Sequence, residues 1–440
     1  MTTTSTATLS TSRGVALYVG ALLGPSLLLL PGLAAAVAGP ASIVAWGGLL
    51  AVSGLLARVF TRLGTRIPRG GVAAYVEAGL GSRAGRVVAW CFLAGVVLGA
   101  PVVCLIGGGY VAELLGGGSR TAVAVAAALL VLVLAVTQGG ARASAGIQLV
   151  LVAVLVVLVA VATIGSAPAA RSVHWTPFAP HGWTAVAHAA SVLMLAFVGW
   201  EAIAPLTGRL RDPRRQLPRV IGIAFAVTSV LYVALAAATI GVLGPRAGSP
   251  VPLADLLRVA IGAAGPAVAA VAAVALTLAA TNAYITGGTV LAAELPTRSG
   301  RAGNGSWLPL AIAAAGLLLL GGRALGVLDT AELVALPTAL FLAVYLGCTI
   351  AAARLFSGVD RIAAGLACGP VIVMLAFSGW AIATIAVIAA VVIARERSAR
   401  AVPEPAPLAA LCGVGASVVD QRSSEVPLGV ARRCGARWVG

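Results

Sequence analysis

Ala187-His188-Ala189-Ala190-Ser191-Val192-Leu193-Met194-Leu195-Ala196-Phe197-Val198-Gly199-Trp200-Glu201-Ala202-Ile203-Ala204-Pro205-Leu206 is an apolar stretch long enough to cross a bilayer, and it contains one carboxylate. A carboxylate is expensive to place in lipid, so one inside an apolar span marks a functional position. Gly199 removes a side chain where a helix can break, and Pro205 removes a backbone hydrogen bond nearby. Broken helix is tolerated at membrane depth only where protein buries it or water fills a cavity. The stretch therefore predicts a membrane protein with a binding site near the bilayer midplane. It is followed by a run dense in arginine: Arg209, Arg211, Arg214, Arg215 and Arg219.

The rest of the chain has the same character. Of 440 residues, 60% are hydrophobic and 10% charged, and apolar runs recur from end to end. That is the composition of a polytopic membrane protein. The net charge of +16 sits on arginines in short loops between apolar runs, which is an orientation signal and not a nucleic-acid footprint. All 29 basic residues are arginine. Without lysine there is no Walker motif, Schiff base or kinase-type lysine, which excludes a standard ATP-driven motor on this chain. Cys91, Cys104, Cys348, Cys368, Cys412 and Cys434 form no C-x-x-C pair, and His174, His181 and His188 have no metal-like spacing. No disulfide framework, metal or cofactor is expected.

Apolar segments of about 17–25 residues predict twelve spans, at 15–37, 42–63, 86–112, 121–138, 146–166, 184–207, 218–243, 262–291, 306–322, 331–354, 361–377 and 379–395. The first, from Val15 to Ala38, is long enough to be an uncleaved helix, which is the favoured reading; a signal peptide, with Ala34-Ala35-Ala36 as its cleavage region, is the alternative. Arginine sets the orientation. Arg58, Arg62, Arg66, Arg69, Arg83, Arg86, Arg142, the 209–219 run, Arg298, Arg301, Arg354 and Arg361 fall in alternate loops, against only Arg120, Arg171, Arg246, Arg258 and Arg323 in the others. The positive-inside rule then puts both termini in the cytoplasm, with residues 1–14 as a short N-terminal segment. Residues 396–440, with Pro403, Pro405 and Pro407 and no usable period, read as a disordered cytoplasmic tail.

The first span carries a second interruption, Leu23-Gly24-Pro25-Ser26, five spans before Gly199. Interrupted segments at matching positions in two halves point to a transporter's binding site. The offset predicts an inverted repeat of five plus five spans, about 15–166 and 184–354, with helices 11 and 12 (about 361–395) appended.

These residues resemble the amino acid–polyamine–organocation (APC) superfamily. Gly24-Pro25-Ser26 followed by Pro31 is similar to its G-x-G break, with Ser26 in place of the second glycine. Phe197-Val198-Gly199-Trp200-Glu201 resembles its F-x-G-aromatic-E signature. Arg211-Asp212-Pro213-Arg214-Arg215-Gln216-Leu217-Pro218-Arg219 resembles the loop that follows, and Pro68 to Tyr75 and Gly81-Ser82-Arg83 match further stretches. With Ala280-Thr281-Asn282-Ala283-Tyr284 in the eighth span, the arrangement is most similar to bacterial exporters of methionine and branched-chain amino acids.

The resemblance covers about residues 14–395 and implies an all-α LeuT-like transporter in the bacterial plasma membrane, moving small neutral amino acids by alternating access with protons as coupling ion. It implies substrate contacts at Leu23, Gly24, Pro25, Ser26, Phe197, Val198, Gly199, Trp200 and Asn282. Glu201 reads in two ways, as the proton-coupling or gating group or as a structural carboxylate capping freed amides of the first span. Gly24-Pro25 alone also reads as a packing kink, and Asn282 as a link between helices. Import or exchange of amino acids or amines on the same fold is the alternative function; a membrane sensor or a subunit of a larger complex is a third. No nucleic-acid partner is expected, and the sequence leaves the oligomeric state open.

Overall fold

The computed structural model describes residues 10–24, 26–68, 71–138, 145–193, 196, 199–201, 204, 210–295, 305–376 and 378–400. Among these residues the regular structure is helical throughout. The helices are α1 (Thr11–Leu23), α2 (Ser26–Ala38), α3 (Ser42–Arg66), α4 (Gly71–Leu80), α5 (Ser82–Leu114), α6 (Ser119–Gln138), α7 (Ala145–Ser166) and α8 (Thr184–Val192). They continue as α9 (Pro213–Leu243), α10 (Pro252–Ile261), α11 (Gly265–Glu294), α12 (Leu308–Ala324), α13 (Thr330–Leu355), α14 (Gly358–Ala376) and α15 (Ile382–Arg400). Eight helical stretches among the described residues are long and apolar enough to cross a membrane, joined by shorter apolar helices such as Leu308–Ala324. The fold is that of an all-α polytopic membrane protein.

Surface and interior explain each other only in lipid. Leu310, Leu317 and Leu318 on α12, and Val157 and Ile164 on α7, face outward, Leu317 at 79% exposure. An apolar surface of this extent is stable against hydrocarbon and not against water. Trp183, Trp307 and Trp380 are exposed just before α8, α12 and α15, as expected of residues anchoring helix ends at the membrane–water interface. Inside, Trp46, Trp200, Tyr75 and Tyr345 are fully buried. α5 is the central strut, packed on α6, α11 and α13.

Local chemistry fixes the helix starts. Asp212 caps α9, its carboxylate accepting from the Arg215 amide at 3.3 Å, with Pro213 in the first turn where its missing N–H costs nothing. Gln216 in that turn accepts from the Asp212 amide (3.1 Å) and donates to Thr11 on α1 (3.3 Å). The arginine-rich loop motif is thus a helix cap that also ties α9 to the start of α1. Asp329 and Glu332 form a reciprocal capping box at α13 (2.7 and 3.0 Å).

Three departures from the expected spans have simple causes. α4 and α10, ten residues each, lie between expected spans and are too short to cross a bilayer. The helix of the third span begins at Ser82, not 86, because it extends past the apolar core. Among the described residues, the α-helix of the sixth span covers Thr184–Val192, short of Gly199. α15 continues to Arg400, so residues 396–400, expected as the start of a disordered tail, are helical; the rest of that tail lies outside the described residues, as do Arg69, Arg142, Arg298 and Arg301.

Candidate substrate and coupling site

The first span breaks where its sequence says it should. α1 ends at Leu23, Gly24 forms the turn, and α2 starts at Ser26. Within the turn the Gly24 amide donates to Gly20 O (3.2 Å), and Gly24 O accepts from the Leu27 amide (3.3 Å). The carbonyl of Leu22 is met by Tyr232 of α9, whose hydroxyl donates to it at 2.9 Å. Tyr232 has one proton to give, so the contact to Ser26 Oγ at 3.2 Å runs the other way, with serine donating. Trp46 stacks on Tyr232 at a centroid distance of 4.8 Å and holds the ring in place.

The second break presses against the first. Gly199 has φ +150°, a conformation that L side chains rarely adopt, and a Cβ there would lie 2.7 Å from Ala21 O and 3.0 Å from the Leu22 Cα. Glycine is required twice over, by the backbone and by the neighbour. Glu201, at 1% exposure, curls back on the same turn. Both its carboxyl oxygens lie 3.0–3.1 Å from the Gly199 amide. The Tyr284 hydroxyl of α11 donates to Oε1 (3.2 Å), and the Tyr345 hydroxyl of α13 donates to Oε2. No arginine among the described residues pairs with it. Three neutral donors, drawn from three parts of the chain, stand where a buried carboxylate would otherwise need a cation.

Trp200 is fully buried beside Glu201; its indole N–H donates to Ser53 Oγ on α3 (3.2 Å), and its ring lies 6.1 Å from that of Tyr18. Next to the two breaks a small crevice is lined by Leu22, Leu49, Ser53, Ala196, Thr228 and Tyr232, with room for about one water.

Leu23, Gly24, Ser26, Gly199, Trp200 and Glu201 therefore belong to one locality. Asn282 turns elsewhere: it is held 3.0 Å from the Thr137 hydroxyl of α6. Pro25, Phe197 and Val198 lie outside the described residues. Tyr232, Tyr284 and Tyr345 were absent from the expected set. The signal that could have found them is their setting, since each is a phenol inside an apolar span. A phenol at that depth needs a partner.

Apolar helices that hold two interrupted segments against each other, with a buried carboxylate bound by neutral donors, have the form of a membrane transporter. Residues 3–321 match the amino acid permease family, and the chain belongs to that family, within the APC superfamily. Among similar proteins, an uncharacterized amino acid permease of Bacillus subtilis, YecA, is 31% identical over 393 residues, covering 86% of this chain and 92% of its own length. The L-methionine/branched-chain amino acid exporter YjeH of Escherichia coli is 29% identical over 229 residues, 51% of this chain and 54% of its own. The branched-chain amino acid permease BcaP of Bacillus subtilis is 33% identical over 70 residues, 16% of this chain and 15% of its own.

Proposed function

We propose that this protein is a proton-coupled secondary transporter that exports methionine and branched-chain amino acids from the cell by alternating access. The observation that carries the proposal is the setting of Glu201, a buried carboxylate held by neutral donors where two broken helices meet. Ionised, the carboxylate accepts from Gly199, Tyr284 and Tyr345 together. Protonated, it has an O–H of its own to donate, and the tyrosine oxygens beside it are the acceptors among the described residues. The bond to one tyrosine then reverses direction, and that tyrosine must send its own proton to another acceptor. Proton occupancy in this way alters how firmly the second break is tied to the rest of the bundle.

In this reading the substrate carboxylate meets amides at the start of α2, where the helix dipole is positive, around Leu23, Gly24, Pro25 and Ser26. Its amino group meets carbonyls left free by the breaks, and Phe197, Val198, Gly199 and Trp200 enclose its side chain. Asn282 belongs to the wall through its link to α6. Leu22 and Leu49 in the adjoining crevice favour a small apolar side chain. The reading takes twelve spans in the bacterial plasma membrane, an inverted repeat of spans 1–5 and 6–10, and both termini in the cytoplasm, supported by the alternation of arginine between loops. Methionine and branched-chain substrates are suggested by the similarity to the exporter YjeH. Import on the same fold is the second reading, favoured by the similarity to BcaP.

The test is counterflow of labelled methionine, leucine, isoleucine and valine in proteoliposomes, then accumulation with and without an imposed pH gradient. Counterflow with at least one of the four, and accumulation only against a proton gradient, is the expected result. Absence of counterflow with all four would remove the substrate assignment, and accumulation indifferent to the gradient would remove the coupling.

A further inference from the structure

A threonine inside a membrane helix ordinarily gives its one proton to a carbonyl on the preceding turn. Thr137, Thr163, Thr228, Thr239 and Thr338 all do so, to Val133, Val159, Ala224, Leu235 and Val334 at 2.6–2.8 Å. Thr277 and Thr281 of α11 do not. They are 0% and 2% exposed; Thr277 has no hydrogen-bond partner among the described residues, and Thr281 has at most the Cys104 thiol, a weak acceptor. A buried hydroxyl without a strong partner is costly, and here two occur one turn apart.

Their direction gives the pair a meaning. Thr277, Thr281, Tyr284 and Gly288 follow the i, i+4, i+7, i+11 spacing of a single helix face. That face runs antiparallel along α5. Thr277 meets Gly107, where an added Cβ would lie 2.6 Å from its hydroxyl; Thr281 lies beside the Cys104 thiol; Gly288 meets Val96 and Leu93. α5 also carries Pro101 inside the helix, which has no N–H to offer the Val97 carbonyl. At the other end of the face, the α5 hydroxyl of Tyr110 donates to Leu28 O (2.6 Å), with Asp255 close enough to act on it. Asp255 in turn pairs with Arg258 (3.1 Å), which reaches Glu113 (3.6 Å).

We propose that this polar seam between α5 and α11 is the route by which protons reach Glu201, with Thr277 and Thr281 holding water in file between Asp255 and Tyr284. The proposal rests on the reading of Glu201 as the coupling group. The last transfer balances simply. A hydronium gives a proton to the Tyr284 oxygen as the phenol's own proton passes to Glu201 Oε1; water and phenol are left as they began, and the carboxylate becomes a carboxylic acid. The groups facing Glu201 are Tyr284 from α11, Tyr345 and Cys348 from α13, and the Gly199 amide of its own turn. Cys104 and Gly107 stand across from the two threonines, with Leu129 of α6 beside Gly107, so water enters the file by parting α5 from α11 there.

Difference infrared spectroscopy after a pH jump on the full chain in liposomes tests this without knowledge of the substrate. The carboxyl band of Glu201 is identified by its loss in Glu201→Gln, and its rate of appearance is the readout. Thr277→Val with Thr281→Val keeps both shapes and removes both hydroxyls, and should slow the rate at least tenfold without lowering thermal stability. Each single Val variant should slow it at least threefold, which serves if the double variant does not fold. The corresponding Ser variants should remain within threefold of wild type. An unchanged rate in the Val variants would overturn the route and reduce the threonines to close packing, with Glu201 still the coupling group. No band sensitive to Glu201→Gln would overturn the coupling reading, and the route with it.

Discussion

The two broken helices are held in opposite ways. At the first, every contact is neutral: Tyr232 gives its proton to Leu22 O, Ser26 gives its own to Tyr232, and Trp46 covers the ring. None of these contacts, among the described residues, involves a carboxylate or a cation. At the second, the same job falls to a carboxylate that takes two tyrosines and an amide. In the proposed mechanism its bonding pattern is rewritten whenever a proton arrives. On that proposal one break is a template and the other a switch, and the contact between Gly199 and Ala21–Leu22 lets the switch act on the template.

The sharpest way to break this comparison is to separate the two. Gly199→Val puts a branched side chain where even a Cβ meets Ala21 backbone at 2.7 Å, at a φ that disfavours it. Transport should fall below detection in proteoliposomes, with a lower melting temperature in detergent. Normal transport by this variant would mean that the breaks do not need to touch.

Next comes the switch itself. Glu201→Gln keeps the side chain's shape and mimics its neutral form. Proton-driven accumulation should drop roughly tenfold or more, an amount that corresponds to about 1.4 kcal/mol or more of coupling. Exchange of labelled for unlabelled amino acid should stay within about threefold, since it moves no net proton. Wild-type pH dependence in the Gln variant would make Glu201 a structural cap.

The template should respond differently. Tyr232→Phe removes both contacts of the first break and should cost about 1–2 kcal/mol of stability, read as a lower melting temperature. Its pH profile should remain that of wild type; a shifted profile would dissolve the distinction between the breaks. Ser26→Gly, smallest of all at this position, should leave transport within about a factor of two, whereas Ser26→Phe has no space in this buried turn and should block it.

The smallest expected effect lies outside both breaks. Deleting residues 401–440 should leave transport within about a factor of two. A correctly inserted truncation that no longer transports would give the tail a regulatory role.

What the sequence makes legible follows from the range of the interactions. Glycine, proline and a lone carboxylate in apolar runs mark Gly24 and Gly199–Glu201 as irregular, because the cost of each is local. The long spans are legible from hydropathy for the same reason. The partners of Glu201 are not, since Tyr284 and Tyr345 lie 83 and 144 residues away and each looks like an ordinary core aromatic. Asn282 shows the converse, as its polarity is evident but its bond to Thr137 depends on how α6 packs beside α11. The short helices α4 and α10 escape a reading based on spans because they do not need to cross anything.

Away from the site, Asp360 at the start of α14 is shared between Arg58 (2.8 Å) and Arg62 (2.9 Å) of α3. Those arginines stand one helical turn apart, about 6 Å along the axis. Pulling α14 away from α3 breaks both contacts together. Sliding it lengthwise exchanges one guanidinium for the other, and the carboxylate is never left alone. The joint is stiff against separation and slack against slip, in the manner of a rail and not a rivet.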